Sequence, residues 1–256
     1  MRAEAVSQFN DGAQSRDVDS GRTLSMSKSL AFFALSIVIN SAGNVLTLVT
    51  SAKIHPSFLG AAYWSAAEAN LGAAFHWNLF WAFLILGFLT AALNAVLLHH
   101  WDWKRIAGNM AFMVPFSALI QVFADFFNGK TAMFAGLPVA HSAGMVAGYI
   151  ALNFLGVALI AIAISIYQRV NLVLHPADDL MQILRFRYFK GNASRAMWAS
   201  YIPPTIMAII ALLITHSFVN FGLGTVFAFL AQGGITGIAD RVIFPKLKHQ
   251  QVDVGK

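Results

Sequence analysis

The sequence predicts an all-α, polytopic membrane protein: six transmembrane helices in two inverted three-helix repeats, with a broken or interfacial helix after the first span of each repeat. Three observations carry this. First, the 256 residues are 58% hydrophobic and only 11% charged, where a soluble domain carries about 25% charge. The charges are missing from six long blocks, each enough for a helix to cross the hydrocarbon core. The blocks are continuous rather than alternating, which excludes a β-barrel and leaves helices to satisfy their own backbone. Second, of the 17 Lys and Arg only Lys53 and Lys130 fall on one set of alternate inter-span segments; the rest fall on the other set. That bias orients six crossings with both termini in the cytoplasm. Third, two dipeptides recur in the same order: His55-Pro56 with His175-Pro176, and Ala124-Asp125 with Ala239-Asp240.

Residues 1–27 are polar, of mixed charge, and lack the apolar stretch of a signal peptide, so a disordered cytoplasmic tail is expected. Repeat 1 occupies 28–128, with spans near 29–50, 78–98 and 107–127. An external linker at 129–142 joins it to repeat 2 at 143–245, with spans near 143–168, 197–215 and 223–243. A cytoplasmic tail at 246–256 ends the chain. An odd number of spans per repeat turns the second copy upside down, the plan of many secondary transporters.

Each His-Pro step follows a first span. Proline suits a first helical turn, and Asp178 and Asp179 then sit where the helix dipole favours negative charge. "PADDLMQILRFRYFKGN" therefore reads as a helix from Pro176 to near Gly191-Asn192, resting on the interface or entering partway as a re-entrant half-helix. "PSFLGAAYWSAAEANLGAAF", after Pro56, is its nearly uncharged counterpart. Glu68 is the lone charge from Ser57 to Ala74. On the outer surface it is merely solvated, the expected outcome; if the stretch dips inward, it must face a wet cavity or a partner.

The spans carry amides: Asn40 and Asn44, one helical turn apart in span 1, Asn109 and Gln121 in span 3, Asn153 in span 4 and Gln232 in span 6. Amides are candidates for solute contact and equally for helix-to-helix glue. Asp125 and Asp240 are candidates for ion coupling, or for caps and ion pairs at span ends. Pro115 and Pro203-Pro204 are expected to kink or loosen spans 3 and 5.

The second-half stretches "HPADDLMQIL" and "GLGTVFAFLAQGGITGIAD" resemble the YczE/YitT-like bacterial integral membrane proteins. The shared pattern is a Pro-x-Asp step after a first helix, here Pro176 and Asp178, then Gly-x-Gly-Thr opening a helix that ends near Asp, here Gly222, Gly224, Thr225 and Asp240. The likeness runs over roughly residues 30–245. The first half keeps Pro56, with no acid after it, and Gly108 of the glycine motif. The resemblance implies the fold and, for some members, a permease without a settled substrate.

Several functions are set aside. The chain has no cysteine, so no disulfide or thiolate metal site. Its net charge of +6 reads as cytoplasmic-loop bias rather than nucleic-acid binding. No phosphate loop with lysine, zinc-protease helix or Gly-x-Ser-x-Gly elbow occurs, and His99, His100 and Asp102 form a single cluster in a short loop. The expectation is a non-enzymatic permease of the bacterial cytoplasmic membrane, with no cofactor, the lipid bilayer and an unknown small solute as partners, and a possible homo-oligomer. The rival is a non-transporting accessory protein of a biosynthetic or export complex.

Overall fold

The computed structural model describes residues 23–217 and 219–250; most of the expected N-terminal tail and the end of the C-terminal one lie outside the described residues. The described chain is helical and has no strand. The elements are α1 (Met26–Ala52), α2 (Tyr63–Ala74), α3 (Leu79–Leu98), α4 (Trp103–Phe127), α5 (Ala143–Val170), α6 (Pro176–Ile183), a π-helical turn (Leu184–Tyr188), α7 (Ala193–Ser200), α8 (Ile202–Thr215) and α9 (Leu223–Val242). Six helices are long and apolar enough to cross a membrane: α1, α3, α4, α5, α9 and the run Arg195–Thr215 through α7 and α8. The protein is therefore a multi-pass membrane protein. Thr23 and Leu24 donate backbone N–H bonds to the side-chain carbonyl of Gln250, at 2.9 and 3.1 Å, so the two ends of the described chain meet on one face. An even number of crossings requires this.

The core forms where α1 and α5 cross. These two helices make the most extensive contact in the molecule, and small residues let their backbones approach. A Cβ on Gly43 would lie 2.7 Å from the Gly156 carbonyl oxygen, and one on Gly156 would lie 2.8 Å from the Gly43 carbonyl oxygen. Without a hydrophobic force between helices in lipid, such close backbone packing is a main source of association. α4 also packs on α1, and α9 on α5.

The short helices trade places between the halves. α2, from the first half, packs against α8 of the second; α6, from the second, packs against α3 of the first. In the first half α3 and α4 also pack along each other. The corresponding α8 and α9 stand further apart, bridged by ring contacts of Trp198 and Tyr201 with Phe229 at 5.1 and 5.6 Å. Between them lies an apolar cleft of about 280 Å³ walled by Tyr63, Ile202, Ile206 and Phe229 among others.

Both His-Pro steps interrupt the helical path, in different ways. Pro176 opens α6, with His175 as N-cap and Asp178 and Asp179 in the first turn. Pro56 opens nothing: it is exposed and followed by irregular chain, and helix resumes only at Tyr63. No acid follows Pro56 to complement a helix dipole, and Gly60 adopts φ +72°, a left-handed value that ends regular structure and favours glycine. Pro203 and Pro204 follow directly on a break in the fifth span, Arg195–Thr215. They occupy the first turn of α8, where a missing N–H costs nothing, and the break falls at Tyr201. Pro115 lies within the continuous α4.

The α1–α5 crossing gives a direct test. Gly156→Ala should lower stability by about 1–3 kcal/mol, the cost of overpacking, whereas Gly234→Ala, with open space around its Cα, should stay within about 0.5 kcal/mol of the parent. Thermal unfolding in detergent reads the difference.

Candidate functional site

Between the halves lies a cavity of about 110 Å³, room for several water molecules. Residues from both halves wall it. α1 contributes Asn40 and Asn44, α2 contributes Tyr63, Ser65 and Glu68, α5 contributes Tyr167, the start of α6 contributes His175 and Asp178, and α9 contributes Gln232.

The α1 side is a connected amide wall. Asn44 donates its side-chain N–H to both the backbone and the side-chain carbonyl of Asn40, each at 2.9 Å, as their one-turn spacing allows. Ser65 donates its hydroxyl to the Asn44 carbonyl oxygen, tying α2 to α1. Glu68 stands one turn further along α2. It is 1% exposed, so the expectation of a solvated surface carboxylate is corrected: α2 is folded inward against α8 and carries Glu68 with it. Glu68 Oε1 has no hydrogen-bond partner, and burial pushes the carboxyl well above its ordinary pKa.

On the opposite wall, Asp178 accepts the Tyr167 hydroxyl, and Gln168 donates to it at 3.5 Å. Burial raises the Asp178 pKa from 3.8 to about 6, against the bond from Tyr167. His175 Nδ1 accepts the Ala177 N–H at 3.2 Å. Its ring meets Phe112 and Phe116 edge-on at 5.3 and 5.4 Å, and burial lowers its pKa to about 4. The next residue, Asp179, faces away from the cavity into an ion pair. Arg105 of α4 donates its Nε to Asp179 at 2.9 and 3.1 Å and its second amino group as well.

Not every expected solute residue lines the cavity. Asn40, Asn44 and Gln232 do. Asn153 and Asn109 instead hold the helix breaks. Asn153 donates to the Gly60 carbonyl at 2.9 Å and to Thr47 and Thr50 of α1, each at 3.1 Å. Asn109 donates to the Leu174 carbonyl at 2.9 Å. Asn94 does likewise for Pro176, at 2.9 Å. Gln121 accepts from the Phe80 backbone at 3.3 Å and donates to Asp125 at 2.9 Å. His55 and Pro56 are exposed, away from the cavity.

Asp125 and Asp240 also sit elsewhere. Asp125 pairs with Lys130 at 3.2 Å. Asp240 accepts the Ser165 hydroxyl at 2.6 Å and pairs with Arg169 at 3.4 Å. Arg169 is buried at 2% exposure and gathers the Ile243, Phe244 and Leu247 carbonyls at 2.9–3.1 Å. It clamps the chain after α9 onto α5, a role that counting it among cytoplasmic charges concealed.

The glycine motif opening α9 meets the first helix break. Leu223 donates its N–H to the Phe58 carbonyl at 2.8 Å, Gly224 to the Leu59 carbonyl, and Thr225 its hydroxyl to the Ala61 carbonyl at 2.7 Å. A Cβ on Gly222 would lie 2.1 Å from the Phe58 carbonyl oxygen. The residue spacing also held a signal that the dipeptide comparison missed: Asn40-x-x-Gly43 recurs as Asn153-x-x-Gly156, and these are the glycines that touch. Among the described residues no cluster of three or more His, Asp or Glu could hold a metal.

Residues 27–241 match a family described as "Family of unknown function (DUF6198)". That match carries no link to the YczE/YitT-like proteins, so their name remains a likeness of short motifs. No curated protein and no solved structure matches the chain.

The two cavity groups of the second half shape stability against pH in opposite senses. Asp178 binds its proton more tightly when folded, so its contribution is full below about pH 3.8 and is lost as pH rises through about 6. His175 binds its proton less tightly when folded, so its contribution is full above about pH 6.5 and is lost as pH falls through that value towards about 4. The two offset each other in the parent. Asp178→Asn should expose the His175 limb, with a melting temperature that falls on acidification from about pH 6.5 to about pH 4 more steeply than the parent's. His175→Gln should give the reverse slope. Thermal melts across this range decide it.

Proposed function

The chain belongs to the DUF6198 family, whose function is unknown, and from that premise we propose that it is a small-solute permease of the bacterial cytoplasmic membrane, with both termini cytoplasmic. The cavity carries this reading. It lies between the two halves, draws its walls from both short helices, and is polar where a scaffold's interior would be packed dry.

The mechanism is a rocking of one three-helix half against the other about the α1–α5 crossing, with the cavity alternately open to each face. Three features support inverted repeats: the exchange of α2 and α6 between halves, the mutual contact of Gly43 and Gly156, and the pairing of each helix break with an amide of the other half. Residues on a two-fold axis touch their own equivalents, as the glycines do. Solute contact falls to Asn40, Asn44 and Gln232. Any ion coupling falls to Glu68 and Asp178, which face the cavity, rather than to Asp125 and Asp240.

The natural absence of cysteine makes labelling clean. Single cysteines at Ser65 and Gln232 should react with a membrane-impermeant thiol reagent applied from either face of proteoliposomes, whereas a cysteine replacing Ala161 in the packed interior should not. Reaction from neither face, or from one face only under all conditions, would favour a non-transporting accessory protein.

A further inference from the structure

The charges around the cavity have one sign. Each short helix brings one carboxylate to it, Glu68 from α2 and Asp178 from α6, and among the described residues no lysine or arginine lines it. Arg105 of α4 is engaged by Asp179 of α6. The amides add carbonyl oxygens, and the rest of the wall is apolar, both aliphatic (Ile160 and Ile164) and aromatic (Tyr63, Trp64, Phe83 and Tyr201). Aromatic faces carry negative potential and attract cations, methylated ammonium groups above all. The buried, unpartnered Oε1 of Glu68 is an acceptor awaiting a donor or a positive charge.

We propose that this cavity binds a small monovalent organic cation of the alkylammonium class, with Glu68 and Asp178 as its counter-charges, and that the cation exchanges with protons on these two carboxylates. This deepens the permease reading and rests on it. An anion would face two carboxylates. A cation compensates an ionised Glu68 in this low-dielectric site, where an unpaired charge is costly, and a neutral solute does not. The volume of about 110 Å³ suits a compact ammonium ion and not a large polycyclic dye.

Proton balance follows from the charges. With the cavity empty, both carboxyls hold protons more tightly than in water. An entering cation displaces one proton to the medium, and a returning proton releases the cation, so net charge in the cavity is conserved. The groups facing Asp178 are Tyr167 and Gln168 of α5, which donate to it, and His175 and Asp179 on its own segment, with Arg105 of α4 neutralising Asp179. Glu68 shares the cavity with Asn40, Asn44, Ser65, Tyr63 and Tyr201, and with the titratable His175 and Asp178 of the other half.

The test uses the full chain in lipid nanodiscs, with tetramethylammonium chloride as probe and sodium chloride, sodium acetate and tert-butyl alcohol as comparisons. At about pH 8, tetramethylammonium should raise the melting temperature with a saturable midpoint, and the comparisons should not. At about pH 5 the midpoint should weaken about tenfold or more, because protons then compete. Glu68→Gln and Asp178→Asn should each weaken it by a similar factor and flatten its pH dependence. Stabilisation by acetate or by the alcohol instead of tetramethylammonium, or a midpoint indifferent to pH in the parent, overturns the proposal while leaving the permease reading to the cysteine-labelling result. Labelling confined to one face overturns the permease reading even with cation binding intact.

Discussion

A helix that breaks beside apolar neighbours leaves carbonyls and amide protons that lipid cannot satisfy, and each unpaired group costs several kcal/mol. Besides the break at Tyr201 in the fifth span, this chain breaks at residues 53–62 and 171–175, and the architecture follows from how those two breaks are paid for. Asn153 takes the Gly60 carbonyl, Asn109 the Leu174 carbonyl, Asn94 the Pro176 carbonyl, and the first N–H groups of α9 take Phe58 and Leu59. In every case the partner comes from the other half of the chain. Each half thus draws backbone partners from the other, so the halves are bound by these hydrogen bonds as well as by the glycine crossing of α1 and α5. The same breaks turn α2 and α6 inward and bring Glu68 and Asp178 to the cavity.

Much of the fold was legible in the sequence. Hydropathy located all six spans to within a few residues at most ends, because the length needed to cross hydrocarbon is a hard physical limit. The helix at Pro176 was readable because proline, an N-cap and two first-turn acids agree. The counterpart at Pro56 was not, because its departure from regular structure is set by Gly60 and by the docking of its carbonyls on α9, a contact 164 residues distant between Ala61 and Thr225. Proline alone does not say whether a helix begins.

The cavity was legible in part. The Asn40–Asn44 step put two amides on one face, and they share a wall with Ser65. Asn109 and Asn153 have the same chemistry but point at backbone, and a sequence does not record which carbonyls lack donors. Glu68 was the sharpest miss: a lone carboxylate in a small-residue stretch looks like a surface group unless one knows that the stretch packs against α8. Arg169 was hidden for a related reason, since the topology rule counts basic residues without asking what they grip.

The meeting of Thr23 with Gln250, behind the Arg169 clamp, closes the described residues nearly into a ring. A short peptide bridge could link these positions, and new ends could be cut into an exposed loop without disturbing either helix break. Fluorophores attached at Thr23 and Gln250 would lie within energy-transfer range of each other, so a single pair of labels would report the integrity of this seam.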